Sequence, residues 1–164
     1  MVSDTLQKSG SPTAFTWGSA DDLLENLANG DAVSSDPITD ASPSIRRYLI
    51  SASIAVHVDS APNANSLIKF YLSRIVDGKA DGGISTSVSE EHTEAADVNY
   101  IERSCQFVQP ISVAATVNIT YTTSFVIEDP GIAWALIIVN NTGQALGADG
   151  THEVNYVTLN PEAQ

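Results

Sequence analysis

The chain has 164 residues and a mass of 17.3 kDa, which fits a single domain that can bury a core. Its 20 acidic and 7 basic residues give a formal net charge of −13, which disfavours binding to nucleic-acid phosphates or to an anionic membrane. Only 16% of residues are charged, and Ser, Thr, Ala and Asn take their place. This composition favours strands with hydroxyl-rich outer faces over helices rich in Glu and Lys.

The N-terminal third predicts an arm, a short helix and a long strand. Residues 1–14 are polar and predict an arm, so the expected organisation is this arm followed by one domain over residues 15–164. Residues 20–28 carry leucines at helical spacing behind Ser19, which predicts at most one short N-terminal helix. Residues 48–58 alternate between apolar and small or polar side chains, which is typical of a strand with one face on a core.

The middle of the chain is less regular. Residues 66–76 fit either a helix or a strand, and their aromatic and β-branched content, followed by Asp77 and Gly78, favours the strand. Residues 77–99 contain glycine turns and an acidic run. They predict a long loop with at most one weak strand near residues 84–89.

Strand patterns return after Ser104 and continue to the end of the chain. Alternation over residues 117–127, a fully apolar run over 132–139 and a last strand over 151–159 are separated by turn sequences. Together they predict an all-β fold, a single antiparallel β-sandwich that is jelly-roll-like. The side chains expected in its core are Ile50, Ile54, Val56, Phe70, Leu72, Phe125, Ile127, Trp134, Leu136 and Ile138.

The basic residues are unevenly distributed along the chain. All seven lie between Lys8 and Arg103, and none occurs in the last 61 residues. An ordinary sheet faced with Ser and Thr explains this pattern, and so does a subunit interface, because the centre of an interface is depleted of charge.

No catalytic, metal or cofactor site is predicted. The histidines His57, His92 and His152 have no metal-ligand spacing, and Cys105 is the only cysteine. The segment 77–83 lacks the ligand order of an EF-hand and is better explained as a glycine turn. No nucleophile motif or paired-carboxylate motif is present, so the chain is not expected to be an enzyme.

Three residues are candidates for an interface. Trp17 lies in a short element near the N-terminus, where an exposed indole would favour a partner contact or a sugar platform, whereas Trp134 is expected in the core. Arg46 and Arg47 precede the clearest strand. They are either solvated or positioned to contact acidic groups of another subunit.

Three segments, in this order and spacing, resemble small structural proteins of tailed bacteriophages. They are residues 27–35 (LANGDAVSS), residues 70–73 (FYLS) leading to Asp77 and Gly78, and residues 130–134 (PGIAW) continuing to 139–146 (VNNTGQAL). The resemblance spans residues 15–159. It implies a jelly-roll or related β-sandwich subunit of a virion, of the type that decorates or cements the capsid, and it brings no catalytic motif.

From this resemblance we expect a non-enzymatic virion protein on the capsid surface. The expected partners are the major capsid protein and copies of the chain itself, as a homotrimer, with no nucleic acid, membrane or cofactor. The lack of a basic and apolar leader in residues 1–8 and the single cysteine favour assembly in the host bacterial cytoplasm. The alternative is a tail or fibre component that acts as a carbohydrate-binding or host-adhesion module.

Overall fold

The structure is a computed structural model that describes residues 6–17, 23–39, 47–56, 60–76, 79–80, 91–92, 95–148 and 152–161. Two antiparallel sheets pack against each other, and the described residues include one short helix. The elements in chain order are β1 (Leu6–Ala14), β2 (Ala32–Ser34), β3 (Ile38–Thr39), β4 (Arg47–Ala55), β5 (Ser66–Val76), β6 (Lys79–Ala80), β7 (Glu91–His92), α1 (Ala95–Ser104), β8 (Gln106–Val113), β9 (Thr120–Glu128), β10 (Ala133–Asn141) and β11 (Glu153–Pro161).

The strand order confirms the predicted all-β sandwich and shows why it is jelly-roll-like. The first sheet has the order β1-β11-β4-β9, and the second is built on β5, β10 and β2, with β8 beside β5. Among these eight strands the first pairs with the last (β1 with β11), the second with the seventh (β2 with β10), the third with the sixth (β4 with β9) and the fourth with the fifth (β5 with β8). Such a chain is one long antiparallel ribbon. Pairing of β11 with β4 and of β10 with β5 rolls the ribbon into two sheets.

Three short strands complete the second sheet. β6 pairs with the end of β5, β3 pairs with the start of β10, and β7 pairs with β2. Each of them contributes two residues, so the extended part of this sheet consists of β5, β8 and β10.

The core lies between the sheets, as the alternation along the strands predicts. All ten side chains predicted for the core are buried, with an exposed fraction of at most 9%. In β4 the buried positions are 48, 50, 52 and 54, and also Ala55 at the end of the strand, while Ser51 is exposed. The period of two places one face of each strand on the core and the other outside.

Aromatic rings fill one part of this core around Trp134, which is fully buried. The rings of Tyr48, Phe15 and Tyr156 lie with their centroids 5.0, 5.9 and 6.3 Å from that of Trp134. These spacings are those of favourable tilted and edge-on aromatic pairs. The indole Nε1 has no hydrogen-bond partner among the described residues, so packing rather than a hydrogen bond holds this ring.

The short helix lies elsewhere than the sequence predicts. Residues 23–26 form a turn in which Asn26 has a φ of 56°, a left-handed conformation that interrupts a helix. Leu24 and Leu27 are nevertheless buried, so the leucine pattern marks a loop that covers the end of the sandwich. The helix is α1, which begins inside the segment predicted as a long loop.

The remaining predictions for single segments have mixed outcomes. Residues 66–76 form the strand β5, as their composition favours. The alternating pattern at 117–127 becomes a strand only from Thr120, because residues 114–119 form the connection from β8. The weak strand expected at 84–89 lies outside the described residues. The segment predicted as a polar arm contributes β1, whose residues pair with β11.

Replacement of Trp134 by alanine tests the core. The Trp134→Ala variant should lose about 3–5 kcal/mol of unfolding free energy, because the change removes a fully buried ring and leaves a cavity. Denaturant titration measures the loss. Ile132→Ala, two residues away at a position 72% exposed, is the control and should change stability by less than about 0.5 kcal/mol. Equal effects of the two substitutions would contradict the placement of β10.

Candidate interaction surface

The outcome differs among the three residues singled out as interface candidates. Trp17 is 5% exposed and packs on Phe15 with ring centroids 5.8 Å apart, so its indole belongs to the core and offers no surface platform. Arg46 lies outside the described residues. Arg47 is directly opposite Glu128 on β9, and its Nε lies 3.3 Å from the Glu128 carboxylate. An intrachain carboxylate is therefore the partner of Arg47.

The histidines and the cysteine form no ligand cluster in the part of the chain that the structure describes. His152 Nδ1 accepts a hydrogen bond from the Ala55 amide at 3.2 Å, and Nε2 lies 2.9 Å from the Gly147 carbonyl, to which it donates. Both ring nitrogens are thus occupied by the backbone. His57 lies outside the described residues, and Cys105 is buried. No group of three or more His, Cys, Asp or Glu side chains is placed to hold a metal ion within the described ranges.

The outer face of the second sheet is covered by α1. Val98 and Ile101 of the helix and the following Cys105 pack with apolar side chains of β2, β5 and β10 in a second buried cluster. Their spacing of three and four residues places them on one side of the helix. The members of this cluster that the sheet contributes are Ala32, Tyr71, Ile137 and Val139.

Polar contacts fix the helix at its edge. Lys69 Nζ on β5 donates to Glu102 Oε1 at 2.6 Å, and both side chains are more than two-thirds buried. Burial beneath the helix raises the pKa of Tyr71 to about 12, with smaller contributions from Glu102 and Cys105. The Tyr71 phenol is therefore harder to ionise beneath the helix than in water.

The outer face of the first sheet is a different surface. We name it the hydroxyl face. It consists of eight uncharged side chains that point away from the core in the middle of β4, β9 and β11, namely Leu49, Ser51, Ser53, Thr122, Ser124, Val126, Asn155 and Val157. Ser51, Thr122, Ser124 and Val126 are exposed, whereas Val157 is only 5% exposed.

The register of the strands arranges these side chains in rows. Val126, Leu49 and Val157 form an aliphatic row across three strands. In the next row Ser124 lies opposite Ser51, which in turn lies opposite Asn155. The surface therefore combines an aliphatic row with neutral hydrogen-bonding groups.

Charged side chains occur only at the two ends of this surface among the described residues. Arg47 and Glu128 flank the aliphatic row on one side, and Glu153, directly opposite Ser53, lies on the other. A chain with a net charge of −13 thus presents a neutral patch on one sheet. Depletion of charge and partial aliphatic character are properties of the centre of protein–protein interfaces.

The loops at one end of the sandwich are joined around Asn140, a buried polar side chain. Its Nδ2 donates to the carbonyls of Leu27 and Gln144, both at 2.8 Å, and its Oδ1 accepts from the Thr142 amide at 3.1 Å. The Gly143 amide donates to Asn29 Oδ1 at 2.7 Å. Two of the segments that carry the phage resemblance, 27–35 and 139–146, therefore meet in this network, where their polar residues have a structural role.

Comparison with known proteins gives no identification. No model of a known protein family matches the chain, and no curated protein matches its sequence. No helix in the described part of the chain is long and apolar enough to cross a membrane.

Removal of the Asn140 side chain tests the loop network. Asn140→Ala should lower the unfolding free energy by about 2–3 kcal/mol, because the buried Thr142 amide loses its acceptor and two carbonyls lose a donor. The comparison is Asn155→Ala, whose amide donates only to the exposed Glu153 in the described hydrogen bonds and should cost less than about 0.5 kcal/mol. Thermal or denaturant unfolding of both variants measures the difference, and equal losses would contradict a structural role of Asn140.

Proposed function

We propose that the chain is a non-enzymatic structural protein of a tailed-bacteriophage virion that binds the outside of the capsid and reinforces it. The observation that carries this proposal is the hydroxyl face, an uncharged patch on which Ser51, Thr122, Ser124 and Val126 are exposed, on an otherwise acidic protein. The resemblance of segments 27–35, 70–78 and 130–146 to phage structural proteins supplies the class of particle.

The charge of the chain supports the outward position in this proposal. A protein with a net charge of −13 that faced packaged DNA would be repelled by the phosphates, whereas on the outside of the shell it meets solvent. Docking through the hydroxyl face buries neutral groups, so the acidic residues elsewhere keep their hydration.

The partner in this proposal is the major capsid protein. The exposed Val126 and the partly exposed Leu49 would meet apolar side chains of the shell, and Ser51, Ser124 and Asn155 would exchange hydrogen bonds with its polar groups. The covered outer face of the second sheet would then point to solvent. Association with further copies of the chain and assembly in the bacterial cytoplasm are parts of the same proposal, and the resemblance implies a homotrimer.

Heat resistance of the particle tests the function. Virions that lack the protein should release their DNA at a lower temperature than complete virions, because a ligand bound only to the closed shell stabilises it. Added wild-type protein should restore the resistance. Ser51→Lys, which places a charge in the middle of the hydroxyl face, should fail to restore it.

The matched control uses the same substitution on the other sheet. Ser112 is exposed on β8, so Ser112→Lys should restore heat resistance as well as the wild-type protein does. Equal heat resistance of virions with and without the protein would contradict a reinforcing role. Localisation of labelled protein at the tail tip would favour the adhesion module instead.

A further inference from the structure

The edges of the sheets differ in how they are protected from pairing with other strands. A strand at the edge of a sheet carries unpaired backbone groups, and natural proteins block them with prolines, bulges, lysines or short strands. β1, one edge of the first sheet, contains Lys8, Gly10 and Pro12, and its pairing with β11 shifts between Ser9 and Thr13. The φ of 96° at Gly10 permits this bulge.

The edges of the second sheet are protected as well. β8 contains Pro110, which lacks an amide donor, and its pairing with β5 shifts at Phe70 and Tyr71. β6 and β7 have two residues each, too few to template a further strand.

β9 is the other edge of the first sheet, and it has no proline, bulge or lysine and is not short. Over residues 120–127 (TYTTSFVI) it contains no charged residue, proline or glycine, and the sequence is rich in β-branched and aromatic side chains. Its nine residues pair with β4 without a register shift. β4 is the only strand paired with β9 in the part of the chain that the structure describes, and within that part the opposite side of β9 is an open edge.

We propose that β9 pairs antiparallel with β9 of a second copy of the chain, about a twofold axis at Ser124. The two four-stranded sheets then form one continuous sheet of eight strands, with the same strand contributed by both copies. This inference rests on the sheet edge and does not depend on the proposed virion role.

The charges and side chains of β9 are compatible with self-pairing. With Ser124 opposite its own copy, all nine residues are paired, and Glu128 lies opposite Thr120. The two copies of Glu128, the only charged residue of the strand, are then at opposite ends of the ribbon, so the acidic chains meet without like charges facing each other.

The same register also matches the two faces of the strand. Thr122 lies opposite Val126 of the second copy, which makes the hydroxyl face continuous across the axis. On the core side, the half-buried Tyr121 and Thr123 lie opposite Ile127 and Phe125 of the second copy. A twofold pair closes at two copies, and in this respect it differs from the homotrimer expected from the resemblance.

Charge substitution at the axis tests the pairing. Sedimentation equilibrium of the wild-type chain should give twice the 17.3 kDa mass of the monomer. Ser124→Lys and Ser124→Glu are substitutions at an exposed position, and each alone should raise the dimer dissociation constant about fivefold, because like charges then face each other across the axis. An equimolar mixture of the two variants should form a heterodimer that is tighter than either homodimer.

Ser51→Lys is the matched control. It places the same charge on the neighbouring strand, so its copies are separated by about three strand spacings, roughly 14 Å, and the dissociation constant should stay within about twofold of wild type. Circular dichroism and thermal unfolding confirm that the variants are folded.

A wild-type chain that sediments as a monomer or a trimer would overturn the proposal. The proposal would also be overturned if Ser124→Lys left the dimer dissociation constant unchanged. The same holds if the heterodimer of Ser124→Lys and Ser124→Glu were no tighter than either homodimer. The two proposals can be tested separately with Ser51→Lys. If this variant dimerises normally but does not reinforce the capsid, the hydroxyl face is needed for capsid binding and not for pairing of β9.

Discussion

The burial of β10 on both faces is the constraint on which the rest of the structure depends. Residues 134–140 are all buried. Trp134, Leu136 and Ile138 point into the sandwich core, whereas Ile137 and Val139 point away from it into the cluster beneath α1. Strands buried on both faces need a second covering layer, because a sheet alone covers only one of them. The chain supplies that layer with one short helix, fixed by Lys69 and Glu102.

The two sheets consequently have different outer faces. The second sheet has its own helix on the outside, and the first sheet presents neutral serines, threonines and an aliphatic row. The uncharged sheet surface formed by the hydroxyl face thus lies on the first sheet. Because β9 borders that surface, addition of a second copy at this edge would enlarge the same neutral face without adding charge to it.

Sequence patterns predict the parts of this fold that depend on local alternation. The inward positions of β4 and the burial of β10 can be predicted from the sequence, because a period of two or an unbroken apolar stretch directly reflects burial. The helix α1 is missed because only Val98, Ile101 and Cys105 mark its buried side, within an otherwise polar segment. For the hydroxyl face, the sequence predicts only that the outer faces of strands are rich in Ser and Thr. Its rows require that Ser51 pairs with Ser124 and Asn155, a register between distant strands that no local pattern encodes.

The central claim of the proposed function is that the first sheet, and not the second, faces the capsid. Single-cysteine variants test it most directly, because the native Cys105 is buried and contributes little background labelling. We predict that a thiol reagent modifies Ser51→Cys in the free protein but not on intact virions, whereas Ser112→Cys reacts in both states. Unchanged labelling of Ser51→Cys on virions, or protection of Ser112→Cys in its place, would contradict the account.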